Sequence, residues 1–341
     1  MRVVFERVSP EHRYFDEGFQ REIRWDVALT EGYDFTALND TGLSEEIAAC
    51  DVLWLHGWQS PTLRRAIRVA FGMKKKILMR GENCDLAMPD GRWLRGWLKR
   101  RYLDRIFDRC SGFLTIGNLN REYYLKRGVN ARRIFPMPYA VDNDVFRDAA
   151  QTARMARPDL RERLGIGASV PVVLYAGKLS RRKRADLLVR AMRELDDLSP
   201  QPFLVLAGDG KLMDELQSAA ANAHFPGFVN QSELPAYYDM ADAFVLPSER
   251  EPWGLAVNEA MACGTAVVVS DQVGCAPDLV DASNGAVFKA GDVQGLADAL
   301  RHVLANAGPM GRAASDKIGS WNFDADISGL KAALGQLEVR P

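Results

Sequence analysis

The sequence predicts an α/β protein built from two doubly wound domains. The chain has 341 residues, more than one ordinary hydrophobic core accommodates. Apolar runs of four or five residues alternate along it with segments of helical spacing, which is typical of a parallel sheet covered by helices on both faces. Hydrophobic residues make up 47% and charged residues 26% of the chain, the balance of a globular protein.

The alternation is clearest in the second half of the chain. Its continuous apolar runs predict strands buried on both faces, and the segments between them predict helices. The predicted strands are Val172–Ala176, Phe203–Ala207, Ala243–Leu246, Ala266–Val269 and Gly285–Phe288. The predicted helices are Arg184–Leu195, Leu212–Ala223, Gly254–Cys263 and Val293–Leu304.

The first half repeats the theme less regularly. Residues 8–40 are rich in aromatic and charged side chains, their periodicity is poor, and no Gly-rich turn follows the first strand. The predicted strands are Val3–Phe5, Val52–His56, Ile77–Met79 and Phe113–Ile116, and the predicted helices are Pro61–Phe71 and Asn118–Arg127.

Prolines and glycines between residues 147 and 171 indicate a boundary between the domains. We predict an N-terminal domain at 1–147, a linker at 148–170 and a C-terminal domain at 171–320. A C-terminal helix at 321–341 could pack back on the first domain. Ligands of open α/β sheets sit at the carboxyl ends of the strands, so the site is expected there, in a cleft between the domains.

Several classes of protein are disfavoured by what the sequence lacks. No apolar run approaches the roughly 20 residues of a membrane span. The N-terminus does not resemble a secretory signal, and the five scattered cysteines read as reduced thiols, so we expect a cytoplasmic protein. The chain has no P-loop, no full dinucleotide fingerprint, no G-x-S-x-G elbow and no histidines at metal-ligand spacing, so we expect no metal site.

Positive charge is concentrated in one block. Residues 64–133 contain 19 basic and 6 acidic residues, although the net charge of the chain is −1. Such a block indicates a surface that meets an anion, which could be phosphate, a lipid headgroup or nucleic acid. Charge alone does not choose among them.

One dense segment, residues 247–264, follows a predicted strand and opens a predicted helix. A helix N-terminus offers unpaired N–H groups and partial positive charge, which suit a phosphate. Glu251 lies at the mouth of this turn and Glu259 lies eight residues further on, where both could accept hydrogen bonds from sugar hydroxyls. The alternative is a capped surface helix with two ordinary acidic residues.

A second segment, residues 175–184, places five cations after the end of another strand. Lysine and arginine in this position suit a diphosphate, because charge-assisted hydrogen bonds to phosphate oxygens are strong. The alternative is a solvated basic loop.

Together the two segments resemble the donor-binding signature of family 4 retaining glycosyltransferases, which have the GT-B fold of two Rossmann-like domains facing a cleft. The resemblance covers about residues 110–305. The motifs that carry it are Gly177-Lys178-Leu179 with Lys183, Glu251-x7-Glu259, and the run from Met261 to Asp271; weaker matches lie at 138–142, 206–210, 227–229 and 233–248.

The resemblance implies a donor site with no metal and no cofactor. Lys178 and Lys183 would bind the donor diphosphate and stabilise the leaving nucleotide, and Glu251 would hydrogen-bond the sugar. The further donor-binding positions it implies are Gly177, Val229 near the base, backbone N–H groups at Trp253, Gly254 and Leu255, and Glu259 on the ribose.

The first half departs from the family pattern. The family often carries a histidine in the sugar pocket, where this chain has Arg80 and Glu82. Either residue could take that role, or the two could form a pair that merely holds the loop. His56, at another strand end, is an acceptor contact or a structural histidine.

The resemblance implies a retaining transfer of a hexose from a UDP- or GDP-sugar to a glycan or glycolipid, with no nucleic-acid partner. The alternatives are a GT-B sugar-nucleotide epimerase or hydrolase, and a catalytically silent subunit that binds nucleotide sugar. An oxidoreductase is disfavoured because the glycine fingerprint is missing.

Residues 92–109 contain two apolar stripes that a straight helix places on opposite faces. One stripe is Trp93, Leu94, Trp97 and Leu98, and the other is Tyr102, Leu103, Ile106 and Phe107. Either the chain breaks near residues 96–101 or the first stripe faces outward. An outward stripe beside Arg95 and Lys99 is typical of an interfacial segment, so we predict contact with an anionic membrane at the inner face of the plasma membrane.

Overall fold

A computed structural model describes residues 1–6, 13–24, 26, 30–38, 42–86, 93–220 and 222–338, with the backbone alone at 13–14 and 93–95. The chain forms two compact units. One consists of Met1–His12, Ala28–Tyr139 and Phe323–Pro341, and the other of Arg13–Val27 and Ala140–Asn322.

Strands and helices alternate through most of the described chain. The strands are β1 (Arg2–Phe5), β2 (Arg13–Asp16), β3 (Arg21–Arg24), β4 (Asp34–Ala37), β5 (Val52–His56), β6 (Lys76–Arg80), β7 (Gly112–Thr115), β8 (Ile134–Pro136), β9 (Val172–Ala176), β10 (Phe203–Ala207), β11 (His224–Gly227), β12 (Ala243–Leu246), β13 (Ala266–Ser270) and β14 (Gly285–Phe288). The helices are α1 (Leu43–Ala49), α2 (Pro61–Gly72), α3 (Trp93–Phe107), α4 (Asn118–Lys126), α5 (Asn143–Arg163), α6 (Ala185–Arg193), α7 (Met213–Ala219), α8 (Leu234–Met240), α9 (Leu255–Ala262), α10 (Ala276–Leu279), α11 (Val293–Leu304), α12 (Ala307–Ile318) and α13 (Phe323–Gln336).

The second unit is a doubly wound domain, as the alternation predicts. Its parallel sheet has the strand order β11-β10-β9-β12-β13-β14, so the order reverses between β9 and β12. The predicted bounds of β9, β10, β12 and β14 are confirmed residue for residue. Side chains of the central strands pack with those of α6 and α11 in one hydrophobic core.

Four helices described in this unit, α5, α8, α10 and α12, are absent from the sequence prediction. The segment of α12 contains Gly308, Pro309 and Gly311, which argue against a helix. Tertiary packing outweighs that preference, because α12 lies so close to the loop after α9 that a Cβ at Gly311 would be 2.1 Å from the carbonyl oxygen of Gly264.

The first unit contains a parallel sheet of strand order β5-β6-β7-β8 and a separate parallel pair, β1 with β4. The C-terminal helix α13 belongs to this unit and packs on the sheet. Gly329 permits this close approach, since a Cβ there would lie 1.7 Å from the carbonyl oxygen of Pro136.

The segment predicted as a linker, residues 148–170, is largely helical, and in this respect the prediction is wrong. The helix α5 runs from Asn143 to Arg163 and contains Pro158, whose presence had argued for a boundary. Asp142 caps it by accepting a hydrogen bond from the amide of Val145 at 3.1 Å. The units separate between residues 139 and 140 instead.

The described part of residues 8–40, for which the sequence predicted no element, contains the strands β2, β3 and β4. β2 and β3 pair as an antiparallel hairpin that belongs to the second unit. β4 pairs with β1 in the first unit. The segment directly after β1, where a Gly-rich turn was sought, lies outside the described residues.

The helix α3 is continuous, so of the two alternatives for residues 92–109 the chain does not break. Trp97 and Leu98 are each 53% exposed, whereas Leu103 is fully buried. Tyr102, predicted to lie in the core stripe, is 41% exposed. The side chains of Trp93, Leu94 and Arg95 lie outside the description. Among the described residues, no helix is both long and apolar enough to cross a membrane.

Candidate active site

The candidate site lies at the point where the strand order of the second unit reverses. β9 and β12 are neighbours there, and the two motif loops, residues 177–184 and 247–254, leave their carboxyl ends. Crevices for ligands form at such switch points because the loops on either side diverge. The fold therefore brings together the two segments that the sequence singled out.

Glycines bring the backbone of residues 177–184, the lysine loop, against the loop that follows β10. A Cβ at Gly208 would lie 1.8 Å from the carbonyl oxygen of Gly177, and one at Gly210 would lie 2.5 Å from that of Leu179. The hydroxyl of the buried Tyr175 donates to the carbonyl oxygen of Lys178 at 2.8 Å. Lys178 therefore projects from a backbone that is held on both sides.

Lys183 and Glu251 connect the two motif loops. The ammonium of Lys183 donates to Glu251 Oε2, and Arg182 Nη1 lies 3.5 Å from the same oxygen. The amide of Glu249 also donates to the carbonyl oxygen of Arg182 at 2.9 Å. A largely buried carboxylate is thus held by two cations beside the carboxyl ends of β9 and β12.

The backbone around Glu251 is fixed by the loop that follows β13. The amide of Glu251 donates to the carbonyl oxygen of Gln272 at 3.0 Å, and the amide of Gly274 donates back to that of Glu251 at 2.9 Å. Gly274 is required there because a Cβ would lie 1.9 Å from the carbonyl oxygen of Pro252. The Glu251 side chain is therefore presented from a rigid turn.

Helix α9 begins at this turn. Its N-cap, Gly254, has φ +101°, a conformation that favours glycine, and a Cβ there would meet the side chain of Leu246 at 2.8 Å. The first amides of a helix have no partner within it and carry partial positive charge, so the start of α9 suits an anion. Leu255, the first helical residue, is exposed at this end.

The side chain of Trp253 has a structural role. It is buried, its indole N–H donates to Asn258 Oδ1 at 2.9 Å, and its ring lies against that of Trp321 with centroids 5.3 Å apart. The side chain of Trp253 is therefore part of the core, and the contact of its backbone N–H with a ligand, which the resemblance implies, stays a prediction.

Glu259 lies four residues after Leu255, on the same face of α9. Burial raises the pKa of the Glu259 carboxyl to about 7. A hydrogen bond from the Tyr238 hydroxyl favours the charged form and so opposes part of this rise. This bond, from Tyr238 to Glu259 Oε2, is 2.8 Å long. The predicted site residues did not include Tyr238, although the tyrosine stands in one of the weaker matches to the family pattern.

The loop that contains Val229 carries an aromatic cluster. Gly227 has φ +78° and turns the chain after β11, and Val229 is half-buried. The ring of Phe228, between Gly227 and Val229, meets the ring of Phe19 edge-on with centroids 5.1 Å apart. The guanidinium of Arg21 lies over the Phe228 ring, 5.5 Å from its centroid. Phe19 and Arg21 belong to the hairpin, which periodicity did not reveal.

In the first unit, Arg80 has partners that give it a structural role. Its Nη2 donates to Asp326 Oδ1 of α13 at 3.2 Å and to the carbonyl oxygen of Pro138 at 3.1 Å. Its guanidinium lies over the ring of Tyr139 at 4.8 Å, and the Tyr139 side chain is hydrogen-bonded to Glu82. The carboxylate that pairs with Arg80 is therefore Asp326 of the C-terminal helix.

His56 lies beside Arg80 in the sheet of the first unit, at the matching position of β5. Its ring stacks on that of Trp54 with centroids 5.5 Å apart. Partial burial and the positive charge of Arg80 lower the pKa of His56, so its ring is neutral at pH 7. A role for His56, Arg80 or Glu82 toward an acceptor stays a prediction.

Acidic, histidine and cysteine side chains do not cluster in the described part of the chain as metal ligands would: no group of three or more could hold an ion there. The features around the start of α9 that suit an anion are cationic side chains and a helix N-terminus.

Known proteins are similar to this chain in sequence and in fold. Residues 156–317 match the family model described as glycosyl transferases group 1. The chain is 32% identical over 222 residues to D-inositol 3-phosphate glycosyltransferase of Xylanimonas cellulosilytica, covering 62% of this chain and 52% of the relative. It is 33% identical over 228 residues to the GDP-mannose-dependent alpha-(1-6)-phosphatidylinositol monomannoside mannosyltransferase of Mycolicibacterium smegmatis, covering 62% and 58%.

Among solved structures, Anabaena Alr3699/HepE in complex with UDP superposes with a TM-score of 0.72 at 18% identity, covering 90% of this chain and 86% of that one. The aligned segments span only about half the length of the curated relatives. Residues 156–317, just under half of the chain, are therefore similar to the glycosyl transferases group 1 family, and the fold of the chain is the GT-B fold.

Proposed function

We propose that this chain transfers a hexose from a UDP- or GDP-sugar to a glycan or glycolipid, with retention of the anomeric configuration. The observation that carries this proposal is the joining of Lys183 to Glu251 at the switch point, beside Lys178 and the start of α9. The relatives support it by their names, since one is GDP-mannose-dependent and acts on a phosphatidylinositol mannoside. A structural neighbour is known with UDP-glucose.

The two lysines act on the leaving group. As the bond between sugar and diphosphate breaks, negative charge develops on the departing phosphate. Lys178, Lys183 and the first amides of α9 stabilise that charge, and a site arranged in advance does so without reorganisation. Glu251 hydrogen-bonds the sugar hydroxyls from its rigid turn. Glu259 binds the ribose.

The acceptor attacks the face of the sugar from which the diphosphate leaves, so the configuration is retained. The leaving phosphate takes the proton of the acceptor hydroxyl, and no side chain of the protein serves as nucleophile. The cations supply the charge that a metal would otherwise contribute, so the transfer proceeds without one.

A donor screen tests the proposal. UDP, GDP and their common sugars are added to the protein and thermal unfolding is followed. A ligand at 100 times its Kd adds about 2.7 kcal/mol to the free energy of unfolding. The stabilising sugar nucleotide is then incubated with candidate acceptors, with Lys289→Ala, an exposed lysine of the same unit, as control.

The outcomes separate the alternatives. Transferase activity is expected only when an acceptor is present. It should fall about a hundredfold or more in Lys183→Ala and be kept in Lys289→Ala. Equal consumption of the sugar nucleotide without acceptor would indicate a hydrolase or an epimerase. Binding without turnover for any acceptor would indicate a silent subunit.

We also propose that the outer face of α3 contacts an anionic membrane. Trp97 and Leu98 are exposed there, and the guanidinium of Arg101 lies over the Trp97 ring at 5.2 Å. Exposed apolar side chains with cations at their flanks suit the interface between headgroups and acyl chains. Such contact would place the enzyme beside a glycolipid acceptor at the inner face of the plasma membrane.

Sedimentation with liposomes tests the membrane proposal. The protein should bind phosphatidylserine vesicles at low salt and should release them as the salt concentration rises. Trp97→Ala should weaken this binding, whereas Phe323→Ala, another exposed aromatic of the same unit, should not. Absence of binding at low salt would reject the contact.

A further inference from the structure

The hairpin of β2 and β3 lies against the candidate donor site, within the same compact unit. Its two strands pair antiparallel, with Arg13 opposite Arg24 and Asp16 opposite Arg21. The open end of the hairpin, at Arg24, is attached to the loop after β11, since Asn230 Nδ2 donates to the carbonyl oxygen of Arg24 at 3.0 Å. The turn of the hairpin, residues 17–20, is therefore held beside the lysine loop.

Asp16, at the end of β2, pairs with one of the two lysines expected to bind the donor. Its Oδ2 accepts a hydrogen bond from the ammonium of Lys178 at 2.8 Å. Its Oδ1 accepts from the amides of Gly18 at 2.8 Å and Phe19 at 3.0 Å. The Asp16 side chain is 12% exposed and that of Lys178 is 37% exposed. The carboxylate is thus divided between a turn of its own hairpin and the ammonium.

The contact depends on two glycines. A Cβ at Gly18 would lie 2.5 Å from Lys178 Cδ, and one at Gly210 would lie 3.0 Å from the carbonyl oxygen of Gly18. The ammonium of Lys178 also lies 4.9 Å from the centroid of the Phe19 ring, within the range of a cation–π interaction. The hairpin and the lysine loop therefore fit closely, and the pair of charges lies inside that fit.

We propose that Asp16 is a positioning residue that holds Lys178 while the donor site is empty and competes with the donor diphosphate for its ammonium. This inference rests on the proposed function, which assigns Lys178 to the diphosphate. A carboxylate and a phosphate oxygen make the same kind of charge-assisted hydrogen bond, so the two anions compete for the single positive charge of the ammonium, although it has three N–H donors. Donor binding therefore weakens the Asp16–Lys178 pair, and the return of Asp16 favours release of the nucleoside diphosphate after transfer.

Asp16→Asn separates the two functions of the side chain. The amide oxygen still accepts from the amides of Gly18 and Phe19, so the turn is kept. The amide nitrogen replaces the oxygen that binds Lys178, so the ion pair is lost. Asp197→Asn is the matched control, because Asp197 forms an ion pair with Arg301 in the same unit at 2.9 Å.

Calorimetric titration with UDP and with GDP measures the effect. For the nucleotide that binds the wild-type protein, Asp16→Asn should tighten binding about two- to fivefold, the range expected for a partly exposed ion pair. Lys178→Ala should weaken binding. Adding Asp16→Asn to Lys178→Ala should cause no further change, since Asp16 acts through Lys178.

The result that overturns the proposal is a Kd in Asp16→Asn that is unchanged or weaker, or tightened equally in Asp197→Asn. If Lys178→Ala weakens binding in that case, the proposed function stands and only the role of Asp16 fails. If neither nucleotide binds, or if Lys178→Ala binds as well as the wild type, both fail.

Discussion

Tyr238 donates a hydrogen bond of 2.8 Å to the carboxylate of Glu259, joining α8 to α9 beneath the candidate donor site. The tyrosine is fully buried, and its carbonyl oxygen accepts from Thr265 Oγ1 at 2.7 Å. Its position is therefore fixed by the core, and it fixes the orientation of Glu259 in turn. In the site as proposed, the ribose of the donor meets a carboxylate that is already oriented.

Removal of this hydroxyl tests the orientation of Glu259. Tyr238→Phe should lower the free energy of unfolding at pH 8 by about 2 kcal/mol, the value of a hydrogen bond to a charged group. It should also weaken nucleotide binding several-fold. Denaturant unfolding and calorimetry measure both quantities, with the neighbouring, half-buried Tyr237→Phe as control. Equal effects in the two variants would show that the contact has no special role.

The buried carboxyl of Glu259 makes stability depend on pH. Its pKa in the folded protein is raised from 4.5 to about 7, so the folded state binds this proton more tightly than the unfolded state. Its contribution to stability is therefore fully present below about pH 4.5 and is lost as the pH rises to about 7. Glu259→Gln should flatten the stability profile across this window. An unchanged profile would show that Glu259 titrates normally.

The placement of Lys183 beside the departing charge predicts a kinetic effect. Lys183→Ala should lower kcat by about a hundredfold or more, the size of effect seen when one preorganised donor is removed. It should change donor affinity much less. Steady-state kinetics with varied donor concentration measures both, and wild-type kcat in Lys183→Ala would remove the residue from the mechanism.

Activity should survive chelation, because the proposed site binds the diphosphate with cationic side chains and a helix N-terminus. Activity measured in EDTA is expected to match that of the untreated enzyme. Complete loss in EDTA, with recovery on adding a divalent ion, would contradict this part of the proposal.

The close approach of the loops after β9 and β10 predicts a sensitive position. Gly208→Ala places a Cβ 1.8 Å from the carbonyl oxygen of Gly177, so the lysine loop must move. We expect a loss of about 2 kcal/mol or more in the free energy of unfolding, together with weaker donor binding. Gly72→Ala, with open space around the Cβ, is the control. Equal stability of the two variants would contradict the tight contact.

Periodicity predicts the second unit well because its strands are buried on both faces and read as continuous apolar runs. It fails where tertiary contacts decide the structure. Pro158 suggests a boundary, yet α5 continues through it and is anchored by Arg154 and Arg157 on the buried Asp239. The hairpin of β2 and β3 is invisible to periodicity because Ile23 is the one buried side chain among its described residues, while Phe15 is exposed and Phe19 packs on Phe228 of the loop after β11.

The donor-site residues could be predicted because they follow strands and begin a helix, where sequence spacing and spatial proximity coincide. Lys183 and Glu251 are 68 residues apart and yet meet, since β9 and β12 are neighbours in the sheet. The partner of Arg80 could not be predicted, because Asp326 reaches it only through the return of α13 to the first unit.

Nucleotide binding to the wild-type protein and to Glu259→Ala tests the central claim most directly. Calorimetric titration should show that UDP or GDP binds the wild type, and that Glu259→Ala weakens this binding at least tenfold. Glu215→Ala, an exposed glutamate of α7, should bind as the wild type does. If neither nucleotide binds the wild type, or if Glu259→Ala binds equally well, the assignment of a donor site to this unit is contradicted.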